Sequence, residues 1–213
     1  FDLEEENQIF EKDGLDAYYK YQLENEDKSL KKGTGYRLVE NILKINSFFS
    51  SDERQVEVII LSKNNAATSL RITNAINDLK LDIIRSAWTS GTNISNYLKA
   101  FKVDLFLSAD DNDVLNAIEN GVAAAKILHS NENIHNISNE QVRIAFDGDA
   151  VLFSEESELV YKNHGLEAFI EHEKENRNNP LEMGPFAKLL LTIAKIQAKF
   201  PTDKSPIRTA LVT

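Results

Sequence analysis

Two aspartates separated by one glycine, Asp147-Gly148-Asp149, close a short apolar run, Ile144-Ala-Phe146. Carboxylates at this spacing can attack an electrophile, move a proton or hold a hard cation. A D-x-D pair in a polar loop is ordinarily a solvated turn, because Asp and Gly favour turns. Here the flanks argue for a strand-end site instead. A short continuous apolar run reads as a buried strand of a parallel sheet, and Val151-Leu-Phe153 follows the pair. Open α/β sheets bind ligands at the carboxyl ends of their strands. Residues two apart on a strand share a face, and Gly148 lets the chain bend so that Asp147 and Asp149 reach one site. Two carboxylates that close resist joint ionisation unless a cation or donors offset them. All-oxygen ligation alongside phosphate suits magnesium (Mg2+). An EF-hand loop is the rival, with Asp147, Asp149 and Glu158 at its first, third and twelfth positions. It fails because Leu152 stands where that loop needs Gly, Val151 fills a ligand position, and a strand precedes where a helix should.

The elements that must position this pair are drawn from 213 residues with 42% hydrophobic content, enough for one sizeable core or two small ones. The net charge of -10 argues against nonspecific binding of polymeric nucleic acid. An acidic protein that handles an anionic substrate needs a local cation, in keeping with magnesium. The chain has no cysteine, which removes disulfides, thiolate chemistry and zinc–thiolate sites. No apolar run approaches the length of a membrane span and no signal peptide opens the chain, so a cytoplasmic protein without membrane attachment is expected. The opening, Phe1-Asp-Leu-Glu-Glu-Glu6, lacks an initiator methionine, and a missing native N-terminus is expected. A homo-oligomer is compatible with the sequence.

Apolar spacing predicts a helix over residues 4–26, with Ile9, Phe10, Leu15, Tyr18, Tyr19 and Leu23 on a broad face and Gly14 as an interruption. A second helix is expected over 36–47 and a buried strand over Val56–Leu61. There follow a helix from Ala67 to Leu79, a strand from Asp82 to Trp88, a loop at Thr89-Ser-Gly91, and a short helix from Tyr97 to Phe101. A strand from Val103 to Leu107, a helix from Asp113 to Ala124 and a short strand from Ala125 to Leu128 complete the first part. Alternating strands and helices predict a parallel sheet with helical cover. The polar stretch from His129 through His135 to Glu140 reads as a surface connection, with neither histidine patterned as a ligand. His172-Glu173 is half of a zinc-protease motif without its second His, and reads as helix surface.

A repeat runs through the chain. Gly14-Leu15 recurs 151 positions on as Gly165-Leu166. The same offset pairs Glu24-Asn25 with Glu175-Asn176, Gly33 with Gly184, Ile42 with Ile193, Lys44-Ile45 with Lys195-Ile196 and Phe49 with Phe200. One ungapped register that preserves element order predicts a tandem duplication of an α/β unit. The first copy, residues 1–128, lacks the strand that would carry its own aspartates. Residues 129–141 connect it to a second copy that starts at 142 and stops at Thr213 with two strands.

The strand followed by Asp147-Gly-Asp149-Ala-Val151 resembles motif one of the haloacid dehalogenase phosphotransferase superfamily, and Thr209-Ala-Leu-Val-Thr213 resembles its motif two. The longer strings Phe146–Ser154, Pro206–Thr213, Tyr97–Phe101 and Val103–Ala109 look like the cytosolic 5′-nucleotidase type I family, over nearly the whole chain. The resemblance implies tandem Rossmann-like units with helical cap segments from about Glu155 to Phe200. It implies a magnesium-dependent hydrolase of nucleoside 5′-monophosphates, AMP favoured, with Asp147 as nucleophile and Asp149 as general acid and base. Magnesium would be held by Asp147 and the backbone carbonyl of Asp149. Backbone N–H groups after Asp147, from Gly148 on, and the Thr213 hydroxyl would bind phosphate. The superfamily's later Lys and acidic pair are expected beyond Thr213. In the first copy, Ser62 stands at the motif-two position and Asp110-Asp111 arrive too late for motif four. Lys99 reads as a helix-surface cation. A non-catalytic nucleotide-binding protein, or a phosphatase of another small phosphomonoester, is the alternative.

Overall fold

The computed structural model describes residues 1–128 and 141–212. The connection carrying His129 and His135 lies outside the described residues, as does Thr213. The chain divides into two units, Phe1–Tyr97 with Ile127–Asn139, and Leu98–Lys126 with Glu140–Thr213. The fold is mixed α/β, and the described strands form three two-stranded parallel sheets.

The first unit contains α1 (Glu4–Glu24), α2 (Tyr36–Lys44), a 3-10 turn Ile45–Phe48, β1 (Ile59–Ser62), α3 (Leu70–Asp78) and β2 (Arg85–Trp88). β1 and β2 run parallel, with Ile59 opposite Arg85 and Ser62 opposite Trp88. A core of Leu30, Ile72, Ala75 and Ile76 is flanked by Phe1, Leu3, Ile60, Leu81, Ile83 and Trp88. Beside it Arg71 pairs with Glu6, both buried, and donates from Nε to the Lys28 carbonyl at 2.8 Å.

In the second unit α4 (Ser95–Leu98) ends and is followed by β3 (Phe106–Ser108), α5 (Asp111–Glu119), β4 (Ala124–Lys126), β5 (Val142–Asp147), a π-helical turn Gly148–Leu152, α6 (Glu156–Asn176), α7 (Ala187–Gln197), a 3-10 turn Thr202–Lys204 and β6 (Ile207–Val212). The helix expected over 113–124 stops at Glu119. Its start is set by Asp110, whose carboxylate accepts the Asp113 N–H at 2.9 Å. Its end is set by Gly121 at φ +73°, where the Gly121 N–H reaches the Ile118 carbonyl (2.8 Å) and the Val122 N–H reaches that of Ala117 (3.0 Å). That bond pair is a Schellman cap, which favours Gly at the left-handed position. It frees Ala124–Lys126 to form β4, one residue earlier than the pattern suggests.

The long helix expected over 4–26 is a fold-back. Gly14 has φ 83° and ψ -175°, a conformation open essentially only to glycine. Phe10 and Tyr18 would stand about 12 Å apart along a straight helix, yet their rings meet edge-on at 5.9 Å. α6 repeats this device at Gly165, with φ 82° and ψ -177°. Tyr161 and Phe169 meet edge-on at 6.1 Å, and the Ser157 hydroxyl donates to Glu173 at 2.6 Å. Each of these residues lies 151 positions beyond its counterpart in α1. Other local bonds follow the same offset. Asn25 Nδ2 reaches the Tyr21 carbonyl (2.7 Å) and Asn176 Nδ2 that of His172 (3.0 Å). Asn46 Nδ2 reaches the Val56 carbonyl (2.9 Å) and Gln197 Nε2 that of Ile207 (3.1 Å).

Candidate functional site

β5 and β6 pair in parallel from Val142 opposite Ile207 to Asp147 opposite Val212, as the two apolar runs ending in polar residues predict. Their register is fixed at the start of the strands. The Val142 N–H donates to the Pro206 carbonyl (2.9 Å), Gln141 Nε2 to that of Ser205 (2.8 Å), and Gln197 Nε2 to that of Ile207 (3.1 Å). Val142, Phe146 and Ile207 are buried, so a one-residue slip would expose them. This anchoring puts Asp147 at the carboxyl end of β5, level with Val212. Its side chain is exposed, as is that of Asp149, while Gly148 between them is buried.

The bend after Asp147 is more specific than a flexible glycine. Gly148 to Leu152 form one π-helical turn, closed by the Phe153 N–H on the Gly148 carbonyl at 3.0 Å. Single π turns cluster at functional sites. A strap from residues 182–186 holds this turn. The Gly184 N–H donates to the Leu152 carbonyl (2.8 Å), the Phe186 N–H to that of Val151 (3.0 Å), and the Ser154 N–H to that of Glu182 (2.9 Å). A Cβ on Gly184 would collide with the carbonyl oxygens of Val151 and Phe153, so the approach requires glycine. The residues that position Asp149 thus include Gly184, which site reasoning from the D-x-D pair alone does not reach. The signal was in the repeat: Gly33 is likewise pressed against the backbone of Phe1 and Asp2, with the Asp2 N–H on the Lys31 carbonyl at 3.0 Å.

Two oxygen donors of the kind a hard cation takes stand on either side of Gly148. Asp147 and Asp149 are exposed hard oxygen donors, and no cluster of three or more His, Cys, Asp or Glu suited to a metal occurs among the described residues. Magnesium binds through one or two carboxylates and keeps the rest of its shell for water and phosphate, whereas calcium and structural zinc require fuller protein cages.

Elsewhere the polar residues are engaged locally. After β1, the Ser62 hydroxyl accepts the Asn64 N–H at 3.2 Å. The Thr89, Ser90 and Gly91 N–H groups donate to the carbonyls of Ser62, Asn64 and Lys63 at 2.9, 3.1 and 2.8 Å. The Thr89–Gly91 loop therefore spends its backbone donors on the neighbouring loop. Asp110 caps α5, and Asp111 pairs with Lys126 at 2.7 Å. His172 lies on α6 with Nε2 3.5 Å from Glu156. Lys99 is exposed just beyond α4. No helix among the described residues is long and apolar enough to cross a membrane.

A carboxylate pair on a tethered turn at the carboxyl end of parallel strands lies where open α/β sheets bind ligands. The family model for 5′-nucleotidase matches residues 1–213, and the chain belongs to that family. Human cytosolic 5′-nucleotidase 1B is 34% identical over 221 residues, covering 100% of this chain. The chain spans 36% of that relative's length. No solved structure matches.

Proposed function

We propose that the second unit carries the phosphoryl-transfer half of a magnesium-dependent 5′-nucleotidase that hydrolyses nucleoside 5′-monophosphates, AMP favoured. The observation that carries this is the placement of Asp147 and Asp149 on a strapped turn beyond β5, within a chain of the 5′-nucleotidase family. Asp147 Oδ attacks phosphorus in line with the leaving ribose oxygen, and an aspartyl-phosphate forms. Asp149 protonates that oxygen as the bond breaks, then takes a proton from the water that hydrolyses the intermediate. Gly148, buried and without a side chain, would offer backbone donors to the phosphoryl oxygens, and by the family resemblance the Thr213 hydroxyl would join them. Asp147 and the Asp149 carbonyl would hold magnesium, which supplies charge neutralisation at the phosphoryl group.

The repeat reading is part of the same proposal. Residues 1–128 are a first haloacid-dehalogenase-type unit, catalytically degenerate at its motif-four position, 129–141 a connection, and 142–213 part of a second. The Gly14 and Gly165 fold-backs, the aromatic pairs and the carboxamide bonds at one offset support it. Repeats follow descent and compact units follow packing, so residues 98–126 belong to the first repeat and to the second unit. A cytoplasmic protein is proposed from the resemblance, the relative being named as cytosolic.

The test is phosphate release from a panel of nucleoside 5′-monophosphates by the full-length protein, with magnesium and with a chelator. Magnesium-dependent release, greatest from AMP, is expected. Saturable nucleotide binding with no release from any of them would establish the non-catalytic alternative.

A further inference from the structure

We propose that the second unit carries a binding site for a small phosphate-bearing anion, apart from the aspartate pair, at an open cleft bordered by Lys99, Lys102 and Lys188. The cavity measures about 500 Å3, within the size range of small-ligand pockets. Val103 and Val122 give it an apolar wall, and neither Asp147 nor Asp149 lines it. One counter-charge is present, Asp104, 3.7 Å from Lys188 Nζ. Lys99 and Lys102 have no carboxylate partner among the described residues. The lining therefore carries a surplus of two positive charges in a chain of net charge -10. Such a reversal of sign draws an anion to one place on an otherwise repelling protein.

Two of the three lysines occupy positions that local energetics disfavour. Lys102 has φ +55° and closes the turn that follows α4, its N–H on the Lys99 carbonyl (3.0 Å) and the Val103 N–H on that of Leu98 (2.9 Å). Glycine fills the corresponding position after α5, at Gly121 on the same cavity. Lys188 is the second residue of α7, where the helix dipole opposes a cation. Lys80, at φ +51°, shows that the left-handed conformation alone can be tolerated. What sets Lys102 apart is its company. Local rules broken together around one cavity mark a functional site more than a scaffold. Lysine, a flexible point charge with three donors, serves phosphate oxygens without demanding one geometry.

The test is calorimetric titration of inorganic pyrophosphate into the protein with a chelator present, so that no metal bridges the probe to Asp147. Saturable one-to-one binding is expected, weakened at least tenfold by Lys102→Gly and by Lys99→Gln/Lys188→Gln. It should be unchanged by Asp147→Asn and by Lys12→Glu, a control at an exposed lysine of the other unit. Lys102→Gly removes the charge and relieves the left-handed backbone, so it keeps the fold and separates lost binding from unfolding. Absence of saturable binding, equal weakening by Lys12→Glu, or loss of binding in Asp147→Asn would each overturn the proposal. Because turnover is not read, the outcome is independent of whether the protein hydrolyses nucleotides.

Discussion

Gly184→Ala gives the most direct measure of how the turn bearing Asp149 is held. An added Cβ would lie 2.8 Å from the Phe153 carbonyl carbon and closer still to two carbonyl oxygens, all of them backbone atoms that cannot rotate away. Carbon contacts relax near about 3.5 Å, so the strap or the turn must give by roughly 0.7 Å. That movement stretches the bonds from the Gly184 and Phe186 N–H groups to the turn. Each is worth about 1 kcal/mol net, and the residual overpacking adds about 1–3 kcal/mol. A loss of about 3 kcal/mol in stability is expected by urea denaturation. The same displacement moves Asp149 relative to Asp147, and misplacement approaching 1 Å costs roughly a hundredfold in turnover. Gly35→Ala is the control, since its added Cβ meets only Ile127 Cδ1 at 3.4 Å and its φ of -75° suits any residue. It should change stability by less than about 0.5 kcal/mol. Wild-type stability and turnover in Gly184→Ala, or equal losses in the two variants, would refute the role assigned to the strap.

Asp147→Asn should abolish phosphate release from AMP and from p-nitrophenyl phosphate alike, whereas Asp149→Asn should lose roughly a hundred- to ten-thousandfold on AMP and less on the aryl ester, whose leaving group scarcely needs a proton. Equal losses on both substrates in Asp149→Asn would remove its role as leaving-group acid. Gly14→Ala and Gly165→Ala meet no neighbouring atom, so each should cost only the backbone strain of about 1–3 kcal/mol, read by thermal melting; a neutral result would deny the fold-back. Arg71→Leu leaves the Glu6 carboxylate buried without its partner and should destabilise the first unit by about 3–5 kcal/mol, while Glu6→Leu/Arg71→Leu recovers much of the loss. Hydrogen bonding from Arg85 holds the Glu57 carboxyl below its ordinary 4.5. Its contribution is therefore present above that pH and fades as pH falls, so Glu57→Gln should flatten the acid limb of the stability profile.

The pairing of β5 with β6 was legible in the sequence because both strands are apolar runs with a polar end, and burial of Val142, Phe146 and Ile207 fixes one register. The fold-backs were not. Gly14 and Gly165 stand in otherwise helical patterns, and periodicity alone cannot separate a tolerated glycine from a reversal of direction. Ring contacts eight residues apart decide it, and these are tertiary facts. The end of α5 was misplaced because Val122, Ala123 and Ala124 continue its apolar pattern, while the Gly121 cap breaks it in space. At the site, Asp147 and Asp149 follow from the motif, but Gly184 acts through a backbone approach thirty-odd residues distant in sequence. Only its match to Gly33 hinted at that contact.

The two fold-backs share a hinge but not an anchorage. α1 buries Glu6, Tyr18 and Gln22, whereas α6 buries only Ser157; both leave apolar side chains exposed, Phe10 and Leu15 in α1, Tyr161 and Leu166 in α6. Each arm of α6 is shorter than the roughly 12–15 residues at which an isolated helix becomes even marginal. With so little apolar surface removed from solvent, these arms open at a free energy well below that of global unfolding. Amide hydrogen exchange should then run fast along α6 and slow along β5 and β6. The chain beside Asp147 and Asp149 would thus be built from one rigid border and one that continually melts and reforms.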